Sequence, residues 1–179
     1  MKHNNGPHVG LDSQCLSYLL DAMAGISEPT DLLAEEKKAL VYSWFYKQGT
    51  FILTETVISE VSAIRNIDRR DFHESFISTL FLEYPVRDFA AVQARAAQFE
   101  TYHPNPGDCR ILAEAEELRL DFVVTYDHDF WKKLSNVSGT TKLIKPFAYW
   151  TSRGIPKGAK PVTEPHHTNP LSVQSWWRW

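Results

Sequence analysis

Four carboxylates stand at one kind of place in this sequence. Asp12 follows the apolar run His8-Val9-Gly10-Leu11, and Asp127 lies just beyond Phe122-Val123-Val124-Thr125. Glu60 falls in a helical stretch after Phe51-Ile52-Leu53, and Asp108 opens an alanine-rich helical stretch after Gly107. Open α/β sheets place ligand sites outside the carboxyl ends of their strands, so a sheet built from these runs would gather the four acids there. Two full charges about 5 Å apart, at an effective dielectric of about 20, repel by roughly 3 kcal/mol. Several such pairs call for a bound cation or for shifted pKa values. Mg²⁺ and Mn²⁺ are hard ions suited to such oxygen donors. An ion held there can activate a water for in-line attack on a phosphodiester, and two ions about 3.5–4 Å apart would stabilise both attacking and leaving oxygens. The product would carry a 5′-phosphate and a 3′-hydroxyl.

Each acid also has an ordinary structural role open to it. Asp12 and Asp127 suit helix N-caps. Asp108 suits a first helical turn, where the macrodipole favours an anion, and Glu60 and Asp129 suit solvated helix faces. Other chemistries find less support. The sequence has no C-x-x-C or H-E-x-x-H spacing and no glycine-rich phosphate loop, which argues against zinc and nucleotide-cradling sites. His166 and His167 are adjacent and lack helical zinc-ligand spacing. His103 and His128 read as surface or structural loop histidines. Cys15 has no positioned histidine to make it a nucleophile.

The elements that must position the acids follow from periodicity. Strands are expected at His8–Leu11, Phe51–Leu53, Phe122–Thr125 and Lys142–Ile144, with a break and a short strand around Tyr84-Pro85-Val86. Helices are expected over 13–25, closed by Gly25; over 31–48, with Thr30 as cap; from Thr54, also a cap, to Asn66; and over 68–83, 88–102, 108–120 and 127–134. Alternating strands and helices imply an α/β sandwich with a mostly parallel sheet. Hydrophobic residues make up 43% of the 179 positions and charged residues 23%, enough apolar content for a core. The formal net charge of −3 gives no global attraction to a polyanion, so nucleic acid would need local basic groups or metal ions. The N-terminal residues lack the apolar stretch of a signal peptide, and no window suits a membrane span. A cytoplasmic protein without membrane partners, with Cys15 and Cys109 reduced, is the expectation. From about Pro146 the composition turns to Pro, Gly, His and Trp. The chain thus divides into residues 1–148, a domain, and 149–179, a Pro/Trp-rich tail without helical period that reads as flexible. Its three closing tryptophans are unusual for plain disorder, and they could instead dock on the domain, on a second copy or on a partner, or stack on bases.

The order of four pieces resembles the PIN domain, best known from the VapC-type toxins of bacterial toxin–antitoxin pairs. The pieces are Leu11-Asp12-Ser13, Leu53-Thr54 through Glu60-Val61, Gly107-Asp108-Cys109 through Ala115, and Val123-Val124-Thr125-Tyr126-Asp127-His128-Asp129-Phe130. The resemblance spans roughly residues 8–145. It implies a three-layer α/β/α sandwich and an Mg²⁺- or Mn²⁺-dependent endoribonuclease. Asp12, Glu60, Asp108 and Asp127 would be its catalytic metal ligands and Asp129 an auxiliary one. Ser13 and Thr125 would support them. It further implies an RNA substrate, a cognate antitoxin and a homodimer. Arg65, Arg69, Arg70, Arg110, Lys132 and Lys133 lie near these pieces in sequence and are candidates for RNA-phosphate contacts; each also suits a solvated helix face. A non-catalytic binding module acting through its tail, and a metal-dependent DNA nuclease, are the competing readings.

Overall fold

The computed structural model describes residues 6–24 and 27–179. Strand β1 (His8–Leu11) leads into helices α1 (Ser13–Met23) and α2 (Ala34–Phe45), then strand β2 (Thr50–Leu53). Helices α3 (Glu55–Ser62) and α4 (Ile67–Leu80), strand β3 (Leu82–Glu83), and helices α5 (Phe89–Glu100) and α6 (Pro106–Glu117) follow. Strand β4 (Phe122–Val124), helix α7 (His128–Leu134), strand β5 (Lys142–Ile144), helix α8 (Pro146–Ser152) and a 3₁₀ turn (Pro170–Val173) complete the described chain. No helix among the described residues is long and apolar enough to cross a membrane.

The strands form one sheet in the order β3-β2-β1-β4-β5, with every neighbouring pair parallel. Connections run in one direction from β1 to β3 and return past β1 to β4 and β5. Right-handed crossovers therefore put α1–α4 over one face and α5–α7 over the other. Continuous burial of Val9, Leu11, Ile52, Leu53, Val123 and Val124 is the signature of a parallel sheet covered on both sides. The order reverses between β1 and β4, whose register pairs Gly10 with Val123 and Leu11 with Val124. The carboxyl ends of these two strands flank the topological switch point, and the residues following them are Asp12 and Thr125.

Local chemistry explains where the elements depart from the sequence expectations. Helix α2 begins at Ala34, not Asp31, because the Asp31 carboxylate accepts the Leu33 N–H at 2.9 Å and closes a turn of its own. Thr30 is thus not the cap. Thr54 occupies the N-cap position of α3, yet its buried hydroxyl makes no capping bond. Helix α4 stops at Leu80, and the strand that pairs with β2 is Leu82–Glu83. Pro85, within the segment expected to pair, has no N–H to donate to a ladder. The expected stop at Gly25 lies outside the described residues, and Ala24 is the C-cap of α1. Gly49, between α2 and β2, has φ +136°, and a Cβ there would lie 2.8 Å from Val9 and 2.9 Å from the Tyr149 hydroxyl. Only glycine fits.

The C-terminal segment packs on the domain, the docked alternative for its tryptophans. Trp177 is fully buried, Trp150 and Trp176 nearly so. The Trp177 ring lies 4.8 Å from Phe45, and Trp150 and Trp179 each lie 5.5 Å from Tyr42. Main-chain N–H groups of Val162 and Thr163 both donate to the Phe45 carbonyl, and the Trp179 N–H donates to the Tyr46 hydroxyl. The aromatic ledge of α2 supplies a partner that composition does not reveal.

Candidate active site

Asp12 leaves β1 in extended backbone and caps α1. Its Oδ1 accepts the Cys15 N–H at 2.5 Å, and its Oδ2 accepts the Thr125 hydroxyl. Thr125, fully buried at the end of β4, accepts the Asp127 N–H at 3.0 Å through the same oxygen. One hydroxyl thus ties the acid after β1 to the acid after β4. Asp127 is itself a cap: its Oδ1 accepts the N–H groups of Asp129 at 2.8 Å and Phe130 at 3.0 Å, which starts α7. Its Oδ2 accepts no hydrogen bond among the described residues.

Asp108 does not open α6. Asn105 is the N-cap, Pro106 follows it, and Asp108 sits in the first turn. Its Oδ2 accepts from the Asn105 amide at 2.9 Å and lies 2.7 Å from His103 Nε2, while Oδ1 is free of partners among the described residues. Glu60, exposed on α3, accepts the Ser13 hydroxyl through Oε2. Its other oxygen lies over Gly107, where a Cβ would approach it to 2.6 Å. The missing side chain lets Glu60 reach the start of α6. Glu114, almost wholly buried, accepts the Thr56 N–H at 3.0 Å, the Thr56 hydroxyl at 2.7 Å and Arg110 Nε at 3.1 Å, so α6 and α3 are locked together beneath that contact.

Burial pushes the Asp12 carboxyl up to about 6; the Thr125 and Cys15 bonds oppose the rise, and the charge of Asp108 adds to it. Burial likewise raises Asp108, against the pull of His103 and Asn105, with Asp127 raising it further. Asp108 thus adds to the rise of Asp12, and Asp127 to that of Asp108, while Glu60 is held by Ser13. Among the described residues, no three His, Cys, Asp or Glu side chains stand close enough together to hold a metal ion as they are. The donor chemistry nonetheless fits a hard divalent cation. All four groups are carboxylates, one oxygen each of Asp108 and Asp127 is uncommitted, and an added positive charge would relieve the repulsion.

The remaining candidates divide. Asp129 makes an exposed ion pair with Lys133 at 3.7 Å. Arg69 binds Asp21 through two nitrogens, at 2.7 and 3.2 Å, Arg110 is engaged by Glu114, and Arg70 lies 3.7 Å from Asp71. Arg65 and Lys132 are exposed and make no ion pair among the described residues. A cleft of about 500 Å³ beside Ser13 and Glu60 is walled by Tyr18, Tyr126, Lys37 and Arg69. A second, of about 400 Å³, lies beyond Glu60 and includes Arg110. Both cysteines are buried free thiols, and burial, followed by the neighbouring Asp12, pushes the Cys15 thiol up, so it is no nucleophile.

Sequence reasoning missed Asn105, Glu114 and the burial of His103, which is 4% exposed. The N-cap asparagine with an acid three residues later was a readable signal. The depth of His103 was not, because it depends on the distant Phe130 ring that stacks on it.

No family model matches the chain, and no curated protein matches it. Among solved structures it is similar to VapBC2 from Rickettsia felis, a crystal structure bound to a DNA fragment from their promoter. The identity is 13%, the match covers 76% of this chain and 97% of that chain, and the TM-score is 0.49.

Proposed function

We propose that the chain is a PIN-like, Mg²⁺- or Mn²⁺-dependent endoribonuclease, with a toxin–antitoxin pair as its setting and a cognate antitoxin and a second copy as partners. The observation that carries this reading is the Thr125 hydroxyl that ties Asp12 to Asp127 at the switch point, with Glu60 drawn in through Ser13. Asp12, Glu60, Asp108 and Asp127 would hold the ion, with Asp129 as an outer acid. The ion would supply an activated water and neutralise charge on the phosphate. Thr125 keeps Asp12 and Asp127 in register, and Ser13 fixes Glu60. Arg65 and Lys132, which make no ion pair among the described residues, would give phosphates local positive charge on a chain that is acidic overall, whereas Lys37 and Arg69 in the adjoining cleft are paired with Asp31 and Asp21.

The test is cleavage of RNA and DNA oligonucleotides side by side, with and without Mn²⁺. RNA cut only with metal, to 5′-phosphate ends, and not by Asp108→Asn with its circular dichroism intact, is the expected result. DNA cut in preference to RNA would move the assignment to a DNA nuclease. Cyclic phosphate ends would contradict a metal-activated water. A second reading, a binding module without catalysis, has one observation in its favour: the acids do not stand as a ready three-ligand group. Absence of cleavage on any substrate, with Mn²⁺ binding absent too, would select it.

A further inference from the structure

His103 ends the turn after α5, and its backbone N–H donates to the Phe99 carbonyl at 3.0 Å. The ring is almost wholly buried and lies parallel to Phe130, with centroids 6.1 Å apart and planes 14° from one another. Phe130 belongs to the first turn of α7, and its own N–H is held by Asp127 Oδ1. Nε2 of His103 meets Asp108 Oδ2 at 2.7 Å. Nδ1 is buried without a partner. A proton on Nδ1 would be a buried donor left unsatisfied, so the tautomer that fits the neutral ring has its proton on Nε2, donated to Asp108. The Asn105 amide donates to the same oxygen at 2.9 Å. Two donors therefore fix one oxygen of Asp108 and leave the other uncommitted. The stack on Phe130 references that orientation to the turn that carries Asp127.

We propose that His103 is a positioning residue: by holding Asp108 Oδ2 and stacking on Phe130, it presents Oδ1 of Asp108 to a divalent cation shared with Asp127. This rests on the metal-site reading above. A partner that orients a ligating group in this way is typically worth 10–100-fold in metal affinity. Leu or Phe at 103 removes the donor, Phe keeping an aromatic ring for the stack. Gln keeps an N–H at the end of the side chain.

The experiment is calorimetric titration of the full chain with Mn²⁺ alone, for wild type, His103→Leu, His103→Phe, His103→Gln and Asp108→Asn, each with its melting curve. Affinity is expected to fall at least about tenfold in His103→Phe and His103→Leu and to recover in His103→Gln. A role in folding alone would lower the melting temperature without that pattern of loss and rescue. If His103→Leu does not fold, His103→Phe decides. Wild-type affinity in His103→Phe, with binding abolished in Asp108→Asn, overturns the positioning role and leaves the metal site standing. Failure of the wild type to bind Mn²⁺ overturns both.

Discussion

Asp12 concentrates the tension of the site in one residue. It is 4% exposed, has both oxygens occupied, and has its carboxyl raised to about 6. An unfolded aspartate titrates near about 3.9. Between these values the native state binds the extra proton, so stability falls as pH rises through the interval, and the penalty is fully present above about 6. Two units correspond to about 2–3 kcal/mol. Asp12→Asn keeps an acceptor for the Cys15 N–H and can donate to Thr125, and it removes the charge. The variant is expected to unfold at higher urea than the wild type at about pH 8 and to lose that advantage near about pH 4, where both forms are neutral. Mn²⁺ should raise the melting temperature of the wild type and leave that of Asp12→Asn unchanged. Equal urea midpoints at the higher pH would show that Asp12 carries no such penalty. The position of this acid was legible because a buried apolar run followed at once by Asp marks a strand end. The commitment of the basic residues was only partly so. Lys133 with Asp129 and Arg110 with Glu114 are i,i+4 pairs that spacing alone suggests. Arg69 with Asp21 joins α4 to α1 and needs the fold to be known.

At the level of elements, a second carboxylate holds the helices over the far face to the end of the sheet. Glu116 on α6 receives Arg95 Nε of α5 at 2.7 Å, the Ser138 hydroxyl at 3.0 Å and the Gly139 N–H at 2.5 Å. Arg95 also donates to the Val137 carbonyl at 3.0 Å and covers the Phe99 ring at 4.2 Å. Burial pushes the Glu116 carboxyl up, but Arg95, Gly139 and Ser138 outweigh it and hold it below its ordinary value. A depressed acid contributes stability that is present above its unfolded pKa, near about 4.3, and is lost as pH falls through the folded one. Glu116→Ala should therefore destabilise by about 2 kcal/mol at neutral pH, the scale of hydrogen bonds to a charged group. The difference should shrink as the medium is acidified below about pH 4. A urea midpoint difference that stays constant across that range would exclude the ionised carboxylate as the tie. The helices α5 and α6 were readable as an amphipathic and an alanine-rich stretch, and β1 and β4 as apolar runs ahead of acids. The tie between α5, α6 and the loop before β5 was not readable, because it joins residues 95, 116 and 139, which share no local period. Helix ends shifted where side chains bonded their own backbone, as Asp31 does.

The whole molecule depends on its last residues more than composition suggests. A stretch of Pro, Gly and His reads as solvated chain, and its tryptophans have no periodicity to announce a packing face. Their partners are on α2 and its C-cap, more than a hundred positions earlier: Tyr42, Phe45 and Tyr46 form the ledge on which Trp150, Trp177 and Trp179 settle. Trp177 also donates through Nε1 to the Leu171 carbonyl at 2.9 Å, so its polar edge is satisfied where the ring is fully buried. Its truncation leaves both a cavity and an unpaired carbonyl. Trp177→Ala should cost about 3–5 kcal/mol and lower the melting temperature, with unfolding still a single transition because the segment shares the core of the sandwich. The contacts of Trp177 lie on α2 and within the C-terminal segment, away from Asp12, Asp108 and Asp127, so distant-site additivity predicts an unchanged Mn²⁺ affinity below the melting point. A large stability loss with intact affinity would place these residues in the body of the domain. A negligible loss, or a separate low-temperature transition confined to tryptophan fluorescence, would instead mark the segment as an appendage that the sandwich does not need.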